Sequence, residues 1–364
     1  MIKRDFITCF NESPIILTEG SIELRMAKEF GVKSDEHIRA ASRLYDAESR
    51  RIMETVYGQY LQIAEDYSLP ILVMASTRRL TEESLWRSRY RGKNVVGDYV
   101  GFLRELADRY ECQAYIGGMI GCKGDAYTGE GALNAADAAE FHRWSVNEYR
   151  RAGADYIFAP IMPAVGEIIG LATAIGRSPA DGTPEAGGPS WAGDPPATGD
   201  SPGMGGPPTA FADKKTLAVE KKTPYIISFM IRRNGRLIDG HTIHDAICEI
   251  DGALDDASAD KPLCYMTNCV YPDILRQALS RPFNNTTVVK TRFMGIEANA
   301  ANAEPEELDS ANNIIASDAD ELLDSFIALD DAFPLKIYGG CCGTNETHIR
   351  SIARYFGEKN TRRF

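Results

Sequence analysis

The chain has 364 residues, 44% apolar and 25% charged, and 40 basic against 52 acidic side chains give a net charge of −12. That balance argues against a nucleic-acid groove, which needs a basic footprint, and suits a soluble globular protein. The length allows one large core or two ordinary ones, and α/β barrels often run to this length as one domain.

The opening "MIKRDFITCFNESP" is basic but lacks the apolar stretch of a signal peptide. A cytoplasmic protein is expected. Its eight cysteines would stay reduced there, which favours metal binding or catalysis over disulfides. Strand-like apolar runs then recur along the chain. They are "IILTEGS" (15–21), "ILVMAST" (71–77), "AYIGGMIG" (114–121) and "DYIFAPI" (155–161), followed by "YIISFMI" (225–231), "LCYMTNC" (263–269), "FMGIEANA" (293–300) and "LKIYGGCC" (335–342). Amphipathic stretches such as "ESRRIMETVYGQYLQIAEDY" and "ADAAEFHRWSVNEYRRAG" fall between them. Apolar runs with helical spacers indicate parallel strands joined by crossover helices. Eight such units predict a single-domain (β/α)8 barrel over residues 1–364. An open doubly wound sheet is the alternative, disfavoured by the strand count and by the lack of a glycine fingerprint after the first strand.

Two segments interrupt this rhythm. "YIFAPIMPAVGEIIGLATAIG" (156–176) is long enough to suggest a membrane span, but two prolines and Glu167 break it. It reads as a strand, a turn and a buried helix face, with no membrane contact expected. "SPADGTPEAGGPSWAGDPPATGDSPGMGGPP" (178–208) carries eight prolines and eight glycines. Such a composition buries too little surface to offset its ordering entropy and predicts a disordered insertion. Lying between a helix and the fifth strand, it should emerge at the bottom of the barrel, away from the face where active sites form.

The cysteines carry the chemistry. Cys341 and Cys342 end the eighth strand and Cys269 ends the sixth, so closure brings three thiols to the top face. Neighbouring strand residues point to opposite faces, so both adjacent sulfurs can face one point only if the chain bends, which the flanking glycines permit. Taken alone, "CC" reads as a vicinal disulfide or as buried thiols. With a third cysteine at another strand end, Zn2+ is favoured, since a catalytic zinc keeps three protein ligands and one open position.

"GGCCGT" (339–344), together with "TNC" ending at Cys269, resembles the zinc signature of the homocysteine S-methyltransferase family. "ILTEGSIELRM" (16–26) is similar to the family's first strand, and "EFHRWSVNEYRRAGADYI" to its fourth helix–strand junction. The resemblance implies a zinc-dependent barrel that methylates a thiol, with Cys269, Cys341 and Cys342 as metal ligands. It also implies Glu19 and Gly20 near the substrate, with glutamate where the family usually has aspartate. The expected partners are a small thiol acceptor, homocysteine or a related thiol, and a small sulfonium or quaternary ammonium donor; a homo-oligomer is left open. One departure stands out. Where the family carries "ETxP", with a glutamate that binds the amino group of homocysteine, this chain has "APIMP" (159–163) and Pro160. The ammonium contact is either missing, which predicts weak preference for homocysteine over thiols without the amino group, or supplied elsewhere.

Further candidates follow from position. Arg78 and Arg79 lie just past the second strand, where either could meet a substrate carboxylate as a bidentate clamp; a surface role is the alternative. Asn268 adjoins a ligand, and Asn299 ends the seventh strand where it could face the pocket. His241 and His244, three apart, read as solvated residues and not as a metal pair. Cys9, Cys112, Cys248 and Cys264 read as structural, and Cys122 as a buried thiol. Besides thiol methyl transfer, two alternatives fit the sequence: a catabolic demethylase of a methylated sulfur or nitrogen compound, and a non-catalytic zinc protein.

Overall fold

A computed structural model describes residues 4–177, 222–304, 307–308 and 313–361. The expected insertion at 178–208 lies outside these residues. Eight parallel strands run in sequence order around a closed barrel: β1 (Ile16–Thr18), β2 (Ile71–Ala75), β3 (Ala114–Met119), β4 (Tyr156–Met162), β5 (Tyr225–Phe229), β6 (Cys264–Val270), β7 (Phe293–Ala298) and β8 (Ile337–Gly340). β8 pairs back onto β1 through Ile16–Ile337 and Leu17–Tyr338, which excludes the open-sheet alternative. The strands are nearly continuous apolar runs because helices cover their outer face while their alternate side chains fill the interior.

The interior packs Ile16, Leu72, Tyr115, Phe158, Ile226 and Met266 against one another. Its base is closed by the helix Phe6–Glu12, whose Phe6 ring lies 4.9 Å from that of Tyr156. Asp5 caps this helix by accepting from the Thr8 N–H at 3.1 Å. The predicted strands match the observed ones closely, although several end earlier than expected. β8 stops at Gly340, so Cys341 and Cys342 belong to the turn that follows it. The apolar stretch 156–176 divides into β4 and the helix Val165–Gly176, and among the described residues no helix is long and apolar enough to cross a membrane. Glu167 within that helix is fully buried. It accepts from the backbone N–H groups of Lys123 and Leu133 and pairs with His142 at 3.0 Å, which fixes the loop after β3.

Candidate metal centre and active site

The turn after β8 is built by close backbone approach. A Cβ at Gly339 would lie 1.9 Å from Thr18 Oγ1, and one at Gly340 would lie 2.2 Å from Thr344 Oγ1. The sequence reading gave these glycines the task of bending the chain. Neither has a positive φ; the left-handed residue is Gly343, at φ 82°. Gly339 therefore lets β8 pack flush against β1, Gly340 leaves room for Thr344 in the turn, and the bend comes two residues after Cys341. Thr344 Oγ1 donates to the Cys341 carbonyl at 2.8 Å and accepts from the Ser21 N–H at 3.1 Å, tying the turn to the end of β1.

Cys269 reaches the site by a different route. It has φ 60° inside β6, at a bulge between Asn268 and Val270. A left-handed conformation is uncommon for a residue with a Cβ, and here it breaks the strand's alternation beside Asn268. Asn299 Nδ2 donates to the Cys269 carbonyl at 2.9 Å. Asn268 Oδ1 accepts from Ser228 Oγ at 2.6 Å and from the Ile161 N–H at 2.8 Å. Ile161 is itself left-handed, at φ 44°, in the irregular stretch of β4 that follows Pro160.

The sulfurs of Cys269, Cys341 and Cys342 all lie within 4.8 Å of one another, with 2.9 Å from Cys269 to Cys341 and 4.0 Å from Cys341 to Cys342. In a tetrahedral site with Zn–S near 2.3 Å, sulfurs stand roughly 3.8 Å apart, so the cluster brackets that spacing. All eight cysteines are free, which sets the vicinal disulfide aside. Hydrogen bonding to Cys341 and Cys342, with burial, raises the Cys269 thiol well above its ordinary pKa. Contact with Cys269 lowers the Cys341 thiol, but Cys342 and burial raise it by more. Three crowded thiols resist ionising alone, and a soft cation removes that resistance. The donor set fits zinc.

Glu19 and Glu297 lie beneath this cluster, 4% and 5% exposed. Glu19 Oε2 accepts from the Met74 N–H at 2.9 Å. Burial raises the pKa of Glu19 well above the usual carboxylate range, the Met74 N–H opposes this, and Glu297 adds to it. Glu297 is raised in the same way, first by burial and then by Cys341, against the Thr18 hydroxyl. Gly20 accommodates Tyr60, whose hydroxyl would lie 2.7 Å from a Cβ there. Arg78 is half-buried, and no carboxylate among the described residues is within ion-pair distance. Burial works against its charge, but Glu23, Tyr127 and Cys269 outweigh it and raise its pKa. Arg78 lines a cavity of about 370 Å³ with Arg39, Arg79 and Lys123.

The expected site residues thus fall into two groups. Asn268 and Asn299 spend hydrogen bonds on the strained turns, while Glu19 and Arg78 have few partners. His241 contacts Asp239 and Glu249, and His244 contacts Thr286, so each histidine has partners of its own. Glu297 was missed. Its signal was a carboxylate at an inward position of an apolar strand, two residues before Asn299.

A profile of the homocysteine S-methyltransferase family matches residues 16–356. The chain belongs to the homocysteine S-methyltransferase family. It is similar in fold to the metallated form of the homocysteine methyltransferase MmuM from Escherichia coli, at 16% identity and TM-score 0.63, covering 96% of this chain and 98% of that one. The oxidised form of the same enzyme gives 16% identity and TM-score 0.64 over 95% and 97% of the two chains. No curated protein matches the chain. Membership in this family makes the protein a methyltransferase, and the homocysteine S-methyltransferase barrel closes here around a cluster of three cysteines.

Proposed function

We propose that the protein is a zinc-dependent S-methyltransferase that moves a methyl group from a small sulfonium or quaternary ammonium donor to a small thiol. The observation that carries this reading is the convergence of Cys269, Cys341 and Cys342 from β6 and the turn after β8. Zinc held by these cysteines would supply the Lewis acidity that keeps an acceptor thiol deprotonated at neutral pH, where a free thiol with pKa near 8.5 is mostly protonated. The rest falls to the chain. Asn299 and Asn268 hold the Cys269 turn in its left-handed form, which aims its sulfur at the other two. Arg78, which has no ion-pair partner among the described residues, would meet a substrate carboxylate. The acceptor thiolate attacks the methyl carbon in line. A new S–C bond forms as the donor's S–C or N–C bond breaks, and its electron pair leaves with the donor. No side chain need take a proton at this step, so positioning supplies much of the rate.

This reading treats residues 1–364 as one domain with 178–208 inserted, and places the enzyme in the cytoplasm, where its thiols stay reduced. With homocysteine as acceptor, the product would be methionine. The decisive experiment is a screen of methyl donors against thiol acceptors on the zinc-loaded protein, read by mass spectrometry. Methylation of one thiol, lost in Cys341→Ala, is the expected result. Zinc binding without transfer to any thiol would refute the reading.

A further inference from the structure

Beside the mouth of the barrel, the cavity of about 370 Å³ gathers four cations from three segments. Arg78 and Arg79 come from the loop after β2, Lys123 from the loop after β3, and Arg39 from the residue just before the 3₁₀ helix Ala40–Tyr45. The chain has twelve more acidic than basic side chains, yet no carboxylate among the described residues lies within ion-pair distance of these four. Of the two acids in the lining, Glu83 is taken by Arg87 at 2.7 Å, which leaves Glu36. The cations act on one another: burial, the charge of Arg78 and that of Arg39 hold the Arg79 guanidinium below its ordinary pKa.

The surrounding backbone seats these groups. A Cβ at Gly121 would lie 2.5 Å from Arg78 Cγ and 2.8 Å from the Arg78 carbonyl oxygen, and the Gly121 N–H donates to that carbonyl at 3.1 Å. Glycine there lets the two loops approach closely enough to hold Arg78. Arg79 Nη1 donates to the Gly124 carbonyl at 3.3 Å. The Lys123 N–H donates to buried Glu167 at 2.7 Å, and its ammonium stands 5.4 Å from the centre of the Phe141 ring. Arg39 has a positive φ of 49°, which is costly for a residue with a Cβ, and Ser42 Oγ donates to its carbonyl at 2.8 Å.

Like charges gathered in a cleft repel one another and raise the local concentration of counter-charge. Guanidinium forks match the oxygens of carboxylates and phosphates. A single carboxylate would answer Arg78 and leave the other three cations opposed by Glu36 alone. A group with two or more negative charges on oxygen balances the cluster. The lining includes none of the three cysteines, so such a group would sit apart from the reacting sulfur.

Resting on the methyl-transfer reading, we propose that one of the two substrates carries a multiply charged oxyanion group, a phosphate or a pair of carboxylates, which this cavity receives through Arg39, Arg78, Arg79 and Lys123.

Binding is tested first, without turnover, by calorimetric titration of the zinc-loaded protein at fixed ionic strength with inorganic phosphate, succinate and acetate. One site per chain should take phosphate or succinate, and the tighter of the two identifies the group. Acetate, with one charge, should bind roughly tenfold more weakly or worse. Arg79→Gln and Lys123→Gln, both at exposed side chains, should each weaken binding roughly tenfold. Arg109→Gln, which removes a cation paired with Glu54 outside the cavity, should leave it unchanged. No saturable binding of phosphate or succinate, acetate binding as tightly as either, or binding indifferent to both cavity substitutions would overturn the site. In the transfer assay, the tighter anion should raise the KM of one substrate without changing kcat, and Arg79→Gln should relieve that inhibition. Inhibition competitive with neither substrate would overturn the placement at a substrate. Anion binding without any methyl transfer would instead refute the methyl-transfer reading, and with it the substrate role, while keeping the anion site.

Discussion

The side-chain amide of Asn299 donates to the backbone carbonyl of Cys269 at 2.9 Å, so a residue just past β7 holds the left-handed turn at Cys269 on β6. Because Cys269 sits at φ 60°, that bond stabilises a conformation the residue would otherwise leave. Groups that orient metal ligands typically account for ten- to a hundredfold in metal affinity. Asn299→Ala should therefore weaken zinc binding by about that factor while the far-UV circular dichroism stays that of the parent. Competition with a chelating dye measures it, and an unchanged zinc affinity would count against the role.

The metal itself is the second expectation. Purified protein should carry about one zinc per chain, with X-ray absorption giving sulfur neighbours near 2.3 Å. Alanine at Cys269, Cys341 or Cys342 should remove most of the metal and all of the transfer activity, leaving the barrel folded. A fully active Cys341→Ala protein would end the zinc mechanism.

Much of this was legible in the sequence. Eight apolar runs with helical spacers give the barrel because every strand is covered on its outer face, which writes burial into each run. The three cysteines are legible because they lie at or just past the carboxyl ends of strands, and closure alone brings those ends together. What could not be read was local geometry. Nothing in "TNC" signals that Cys269 turns left-handed, since that conformation depends on Asn299, which lies thirty residues later. The glycines of "GGCC" were legible as a special place but not in their task, because the close neighbour of Gly339 is Thr18, at the other end of the chain.

That neighbour gives the third expectation. Gly339→Ala would put a methyl group 1.9 Å from Thr18 Oγ1 and 2.9 Å from the Thr18 carbonyl oxygen. The second contact is backbone and cannot rotate away. Overpacking of this kind costs about 1–3 kcal/mol, and it falls on the β8–β1 seam that closes the barrel. Urea unfolding should show the midpoint lowered with an unchanged slope; a parent-like midpoint would show that the seam has slack.

The buried carboxyl of Glu297 predicts a pH dependence. Its folded pKa lies above the roughly 4.3 of an unfolded chain, so the folded protein holds a proton that the unfolded chain gives up. Its contribution to stability is full below about 4.3 and is lost as pH rises towards the folded value. In metal-free, reduced protein, Glu297→Gln should therefore melt above the parent at pH 8, with the gap narrowing at pH 5. Thermal scans at the two values decide it, and a variant less stable by the same margin at both would contradict the burial argument.

Removal of residues 178–208 should leave zinc content and turnover near those of the parent. The flanking residues meet at one place: Asp260 N–H donates to the Gly176 carbonyl at 3.1 Å, and Lys222 Nζ reaches Asp260 Oδ1 at 2.8 Å. Gly176 ends a helix that leads back from the top face, and Lys222 precedes β5, so both lie at the end of the barrel opposite the cysteines. Loss of activity with zinc retained would place the segment's influence at the active face.

Asn268 accepts from the Ile161 N–H and adjoins Cys269, which joins the two left-handed residues of the site through one side chain. A substitution at Pro160 would shift the amide that Asn268 grips, and that shift should be felt at Cys269. The positions should behave epistatically: a change in the β4 motif would be tolerated only alongside compensating change on β6. Grafting a glutamate onto position 160 alone would then disturb the sulfur geometry before it restored any substrate contact.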